Sequence, residues 1–124
     1  MEDLDELFDE LRPLLARYEA MLVVACDEPG DYQVDTARAG PSGTAMHFGS
    51  VQKRGDHVSL MFMPVLSHSV LLDTVSDELR AVMRGRAYFG LTPRSATPEL
   101  VEELSKLVKR GFERYSLDGL TRAG

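Results

Sequence analysis

Six carboxylates crowd the first ten residues of the chain: Glu2, Asp3, Asp5, Glu6, Asp9 and Glu10. On a helix, Glu2 with Glu6, Asp5 with Asp9, and Glu6 with Glu10 become like-charge pairs four residues apart, each costing roughly 0.2–0.5 kcal/mol. The positive end of the helix dipole offsets that repulsion in the first turn only. Asp9 and Glu10 lie beyond it, with Arg12 placed to soften their charge. A ridge of this kind is a hard-oxygen surface suited to weak, releasable capture of iron or another divalent cation. The same ridge also serves as a solvated face that aids solubility, and the residues alone leave both readings open.

Other reactive side chains are dispersed. With a hairpin turn centred on Gly55, His47 and His57 fall about 16 Å apart at roughly 3.3 Å per residue, too far to share an ion. His68 follows Pro64 near the start of a short helix. No H-E-x-x-H or C-x-x-C spacing joins these histidines into a ligand set. Ser67-His68-Ser69 sets hydroxyls beside an imidazole, but nucleophile and base must meet in space, and Ser67 reads as a helix cap. Cys26 is the single cysteine, so no intrachain disulfide forms, and it reads as a small packed residue. Arg80 and Arg84 stand one helical turn apart with Arg86 close behind. They read as a solvated helix face or as a small basic patch for an acidic partner or anionic ligand. Nothing here has the form of a catalytic motif, and the expectation is a protein that is not an enzyme.

The elements that must position these groups are legible from periodicity. Leu4, Leu7, Phe8, Leu11, Leu14, Leu15 and Tyr18 recur at helical spacing. Pro13 predicts a kink or two abutting helices near Arg12. A short buried strand, Met21 to Ala25, a turn at Asp27-Glu28-Pro29-Gly30, and an alternating strand from Asp31 to Arg38 follow. Met46 to Gln52 and His57 to Met63 flank the turn Lys53-Arg54-Gly55-Asp56 as a hairpin. In the register centred on Gly55, Phe48 faces Phe62 and Ser50 faces Leu60. Val58, Leu60 and Phe62 then form the core face. His57, Ser59, Met61 and Met63, with His47 and Val51 of the neighbouring strand, form an open face suited to contact.

Ser76 caps a helix whose first residues are Asp77 and Glu78, and Gly85 is placed as its stop. Arg86 to Leu91 reads as a last strand, and Thr97-Pro98 opens a terminal helix through Leu100, Leu104, Leu107, Val108 and Tyr115. The resulting fold class is α+β: a two-layer sandwich with an antiparallel sheet and the N- and C-terminal helices packed on one of its faces.

Composition bounds the function. The 124 residues, 44% hydrophobic and 27% charged, predict one soluble domain spanning 1–124. Neither a secretory signal nor the roughly 20 apolar residues of a membrane span is legible, so the expected location is cytoplasmic. The net charge of −6 divides into −10 over residues 1–79 and +4 over residues 80–124. Overall acidity argues against nucleic acid, which binds chiefly through phosphate neutralisation.

Short motifs along residues 45 to 115 carry a family likeness: His57-Val58-Ser59, Met63-Pro64-Val65, Leu71-Leu72, Ser76-Asp77-Glu78-Leu79, Met83-Arg84-Gly85, Phe89, and Gly111-Phe112-Glu113-Arg114-Tyr115. In these the chain resembles the YdhG-like family of small bacterial proteins. The resemblance implies a frataxin-like fold and, for one branch, an intracellular iron chaperone. The segment Asp31 to Arg38 lacks the aromatic-rich Gly-Met-Pro type of sequence found in that branch. By resemblance, the first-helix carboxylates Glu2, Asp3, Asp5, Glu6, Asp9 and Glu10 would hold weakly bound iron for an iron-acceptor protein, with no cofactor required. The alternative is a metal-free module that takes a protein or small ligand on the open face, through His47, His57, Met61 and Met63, helped by Arg80, Arg84 and Arg86. An open sheet face is compatible with either a monomer or a homodimer.

Overall fold

A computed structural model describes residues 2–39 and 43–121, with side chains from Leu4 onward. Helix α1 (Glu2–Ala16) leads into strands β1 (Val23–Glu28), β2 (Asp31–Ala39), β3 (Ala45–Lys53) and β4 (Val58–Phe62). Two short helices, α2 (Pro64–Ser67) and α3 (Asp77–Ala81), precede β5 (Tyr88–Leu91) and the long α4 (Pro98–Leu117). The five strands form one sheet in chain order, each antiparallel to the next. No helix among the described residues is long and apolar enough to cross a membrane.

Both terminal helices pack on the same face of this sheet. Gly49 of β3 and Phe62 of β4 are register partners, and Gly49 faces Leu15 of α1 while Phe62 faces Gly111 of α4. The apolar stripe of α1 (Leu7, Phe8, Leu11, Leu14, Leu15) and that of α4 (Leu100, Leu104, Leu107, Val108, Tyr115) close over Tyr32, Val34, Phe48, Val51, Leu60, Phe62 and Phe89 in one core. The expected α+β class and its meander are thus present.

Several local expectations are corrected. The first strand is not buried and runs on to Glu28, past the expected turn start at Asp27; as an edge strand it leaves Val23 and Val24 exposed. Helix α1 runs through Pro13 as one element, because the missing N–H removes only a bond to the carbonyl of solvent-exposed Asp9. Helix α3 ends at Ala81 with Val82 as its C-cap, so Gly85 lies beyond the helix rather than closing it. The β3–β4 hairpin turns through two residues, Gly55 and Asp56, since the Arg54 N–H donates to the His57 carbonyl at 2.8 Å.

That two-residue turn shifts the register by one, pairing Ser50 with Met61, Val51 with Leu60 and Lys53 with Val58. A one-residue shift exchanges the faces of a strand. Val51, expected on the open face, is therefore fully buried in the core, and Ser50 occupies the open face. A bulge restores the original order further along. Val34 pairs with Gly49 but Asp35 with His47, leaving Phe48 as the extra residue. Phe48 turns inward, edge-on to Phe62 and Tyr115, and His47 returns to the open face.

Candidate functional site

Away from the helices, the sheet presents a polar surface built by strand alternation. Cys26, Gln33, Ser50, Met61 and Tyr88 stand opposite one another across the five strands. The adjoining row contains Glu28, Asp31, Gln52, Ser59 and Gly90. Ser50 and Ser59 are small, so the face is low between their taller neighbours, a shallow trough bounded beyond Ser59 by Gly90 with the Arg84 side chain lying over it. Ser50 is 4% and Ser59 8% exposed. No side-chain hydrogen bond engages either hydroxyl among the described residues.

One end of the trough is held by a polar network. Asp31 accepts from Gln33 Nε2 at 3.0 Å and from Gln52 Nε2 at 3.1 Å, while Arg54 donates to Gln52 Oε1 at 2.6 Å. The two amide donors hold the Asp31 carboxyl below its ordinary pKa, against the opposing pull of partial burial. The carboxamides are therefore oriented before any partner arrives. At the other end the Arg84 side chain lies against Gly90, where an added Cβ would sit 2.8 Å from its Cγ.

Most of the expected contact residues are separated. His47 and Met61 lie on the open face, and Met63 is half-buried against the core. The histidines do not converge: His47 Nδ1 pairs with Asp35 at 3.0 Å, His57 Nδ1 with Asp56 at 2.8 Å, and His68 Nε2 with Asp118 at 2.7 Å. The three arginines do not form one patch. Arg80 donates to the Leu72 carbonyl at 2.5 Å, Arg84 is beyond the helix on the sheet face, and Arg86 is exposed in the following loop. Ser67, expected as a cap, instead shares a 3.0 Å hydrogen bond with the Tyr115 hydroxyl.

The acidic ridge lies on the outer surface of α1. Asp5 accepts from Lys53 Nζ at 2.5 Å, Glu6 and Glu10 border a shallow groove with Leu7, Pro93 and Ala96, and Asp9 is exposed. The side chains of Glu2 and Asp3 lie outside the described residues. Among those described, no three His, Cys, Asp or Glu side chains converge on a common metal position.

Sequence reading missed Asp31, Gln33, Gln52, Ser50 and Tyr88 as parts of this surface. For Asp31 and Gln33 the signal was the polar half of the β2 alternation, in which Tyr32, Val34 and Thr36 are the buried half; Ser50, Gln52 and Tyr88 belong to β3 and β5 and depended on the register. The comparisons with known proteins add no name to it: no family model, no curated protein and no solved structure matches the chain.

Proposed function

We propose that this chain is a non-enzymatic binding module, frataxin-like in architecture, that takes a short uncharged segment of another protein on its open sheet face. The observation that carries this reading is the low strip of Ser50 and Ser59 beside the preset Asp31-Gln33-Gln52 network. Hydroxyls and carboxamides offer both donors and acceptors, the complement of peptide amides. Met61 and Tyr88 add an adaptable apolar rim. Oriented side chains reduce the ordering cost of association.

The test is selection of displayed peptides on the full chain, followed by binding to a Gln52→Arg, Tyr88→Arg variant that blocks both rims of the trough. Peptides that bind the native chain and lose affinity for the blocked variant are expected. Equal binding to both forms would remove the trough from the function.

A second reading, weak iron capture, is favoured by one feature: Glu6 and Glu10 stand one turn apart on the same groove. Anaerobic ferrous titration by amide NMR, with magnesium as the control for nonspecific charge, tests it. Saturable broadening confined to Glu2 through Glu10, absent with magnesium and lost in Glu6→Gln, Glu10→Gln, supports this second reading. Equal, weak effects of both ions remove it.

A further inference from the structure

A second site lies at the C-terminal end of α4, away from the trough. A cleft of about 280 Å³ is lined by Met46, Ser67, His68, Tyr115, Asp118 and Leu120. Its volume is roughly ten times the 30 Å³ share of one water and near the lower limit of small-molecule pockets.

The walls are fixed by backbone chemistry. Gly119, at φ 79°, ends α4 in the left-handed region, with the Leu120 N–H donating to the Tyr115 carbonyl at 2.9 Å and the Gly119 N–H to Ser116 at 3.1 Å. This paired arrangement turns the residue after the glycine back toward the helix. The Leu120 carbonyl then accepts from the Ala37 and Arg38 N–H groups of β2 at 3.0 and 3.1 Å. Leu120 and Asp118 are thus held in place from two directions.

Two hydrogen-bonded pairs set the chemistry. Ser67 and Tyr115 share one bond, so one of their two hydroxyl protons is committed and the other is spare. Asp118 as a carboxylate only accepts, so His68 donates to it from Nε2; in its neutral form the ring keeps Nδ1 as an acceptor. The cleft therefore offers one spare hydroxyl donor and one imidazole acceptor, with Met46, Leu120 and the Tyr115 ring as apolar walls. An anion would meet Asp118 and the negative end of the α4 dipole. A neutral group that both gives and takes one hydrogen bond matches this set.

We infer that the cleft binds a small uncharged molecule with an apolar body and a single hydroxyl, of the class of simple phenols. The probe is p-cresol, titrated into the full chain at pH 8, on the side that favours a neutral imidazole, by amide NMR, with toluene as the analogue lacking the hydroxyl. Saturable shifts centred on Met46, Ser67, His68 and Leu120 are expected, with p-cresol about tenfold tighter than toluene, the worth of one good hydrogen bond. His68→Phe keeps a ring but removes Nδ1, and should reduce the p-cresol preference severalfold while leaving toluene unchanged, the Ser67–Tyr115 donor being retained. Should His68→Phe fail to fold, the comparison of the two probes on the native chain still decides. Equal affinities for both probes, no saturable shift at these residues, or a p-cresol preference that survives His68→Phe undiminished overturns the inference.

Discussion

Gly111 of α4 lies directly over the ring of Phe62 in β4. A Cβ added at Gly111 would overlap Phe62 Cζ and sit 2.9 Å from Pro64 Cβ. Phe62 is fully buried and edge-on to Phe48, so its ring has nowhere to move. The glycine is what lets α4 approach the sheet.

Gly111→Ala is accordingly expected to destabilise the fold. Alanine gains up to about 1 kcal/mol of helix propensity, while overpacking a full core costs about 1–3 kcal/mol. Two neighbours without slack place the site at the upper end of that range. Urea denaturation measures it, and unchanged or increased stability would show that the helix can withdraw from the sheet.

Glu103 joins α4 to the start of α3. Its carboxylate accepts from the Ser76 N–H at 2.6 Å and from the Ser76 hydroxyl at 2.5 Å, while that hydroxyl accepts from the Leu79 N–H at 3.1 Å. Hydrogen bonds to a charged group contribute about 1.5–3 kcal/mol. Glu103→Ala should lower stability by about 2 kcal/mol and speed hydrogen exchange in Asp77–Ala81 more than in α1. Uniform loss of protection in both helices would mean that Glu103 serves the whole fold and not this cap.

These relationships explain what the sequence could and could not disclose. Strand alternation and helix caps act over a few residues, so Ser76, Thr97 and the buried half of β2 were readable, as was the order of elements. Register was not, because a two-residue turn and a turn centred on Gly55 differ by one residue yet exchange the faces of Ser50 and Val51. The bulge at Phe48 turns its ring toward Phe112 and Tyr115 of α4, and nothing local announces it. Ser67 and Tyr115 are 48 residues apart, His68 and Asp118 50. Such pairs carry no short-range signal beyond the tendency of a buried tyrosine to seek a partner for its hydroxyl.

Tyr32 gives the alkaline limit of stability. It is fully buried, its hydroxyl donates to Glu19 Oε2 at 2.6 Å, and the Arg12 guanidinium lies 4.4 Å above its ring. Burial, then the hydrogen bond to Glu19 and its negative charge, push the phenol far above its ordinary pKa. Burial raises Tyr115 as well. With the folded pKa above the unfolded value near 10, the stabilisation is complete below about pH 10 and falls as pH rises further. Tyr32→Phe should cost roughly 0.5–1.5 kcal/mol at pH 7. It should also flatten the decline above pH 10, seen as a smaller difference between urea midpoints at pH 9 and pH 11. Parallel declines in the two proteins would assign the alkaline transition to other groups.

Cys26 reports on the charge of the open face. Partial burial raises the pKa of its thiol, and the nearby charges of Asp31 and Glu28 raise it further, while its Sγ lies 3.7 Å from the Asp31 carbonyl. Only the thiolate is nucleophilic. At pH 8 Cys26 should therefore react with iodoacetamide severalfold more slowly than free cysteine, and approach its rate only at higher pH. Asp31→Asn retains an acceptor for Gln33 and Gln52 but removes the charge, so alkylation should accelerate and its pH midpoint should fall. The same substitution leaves the cover over Cys26 in place. An unaltered midpoint would make burial, and not the carboxylate, the cause of the slow reaction, while a faster reaction at an unaltered midpoint would mean that the change opened the edge strand.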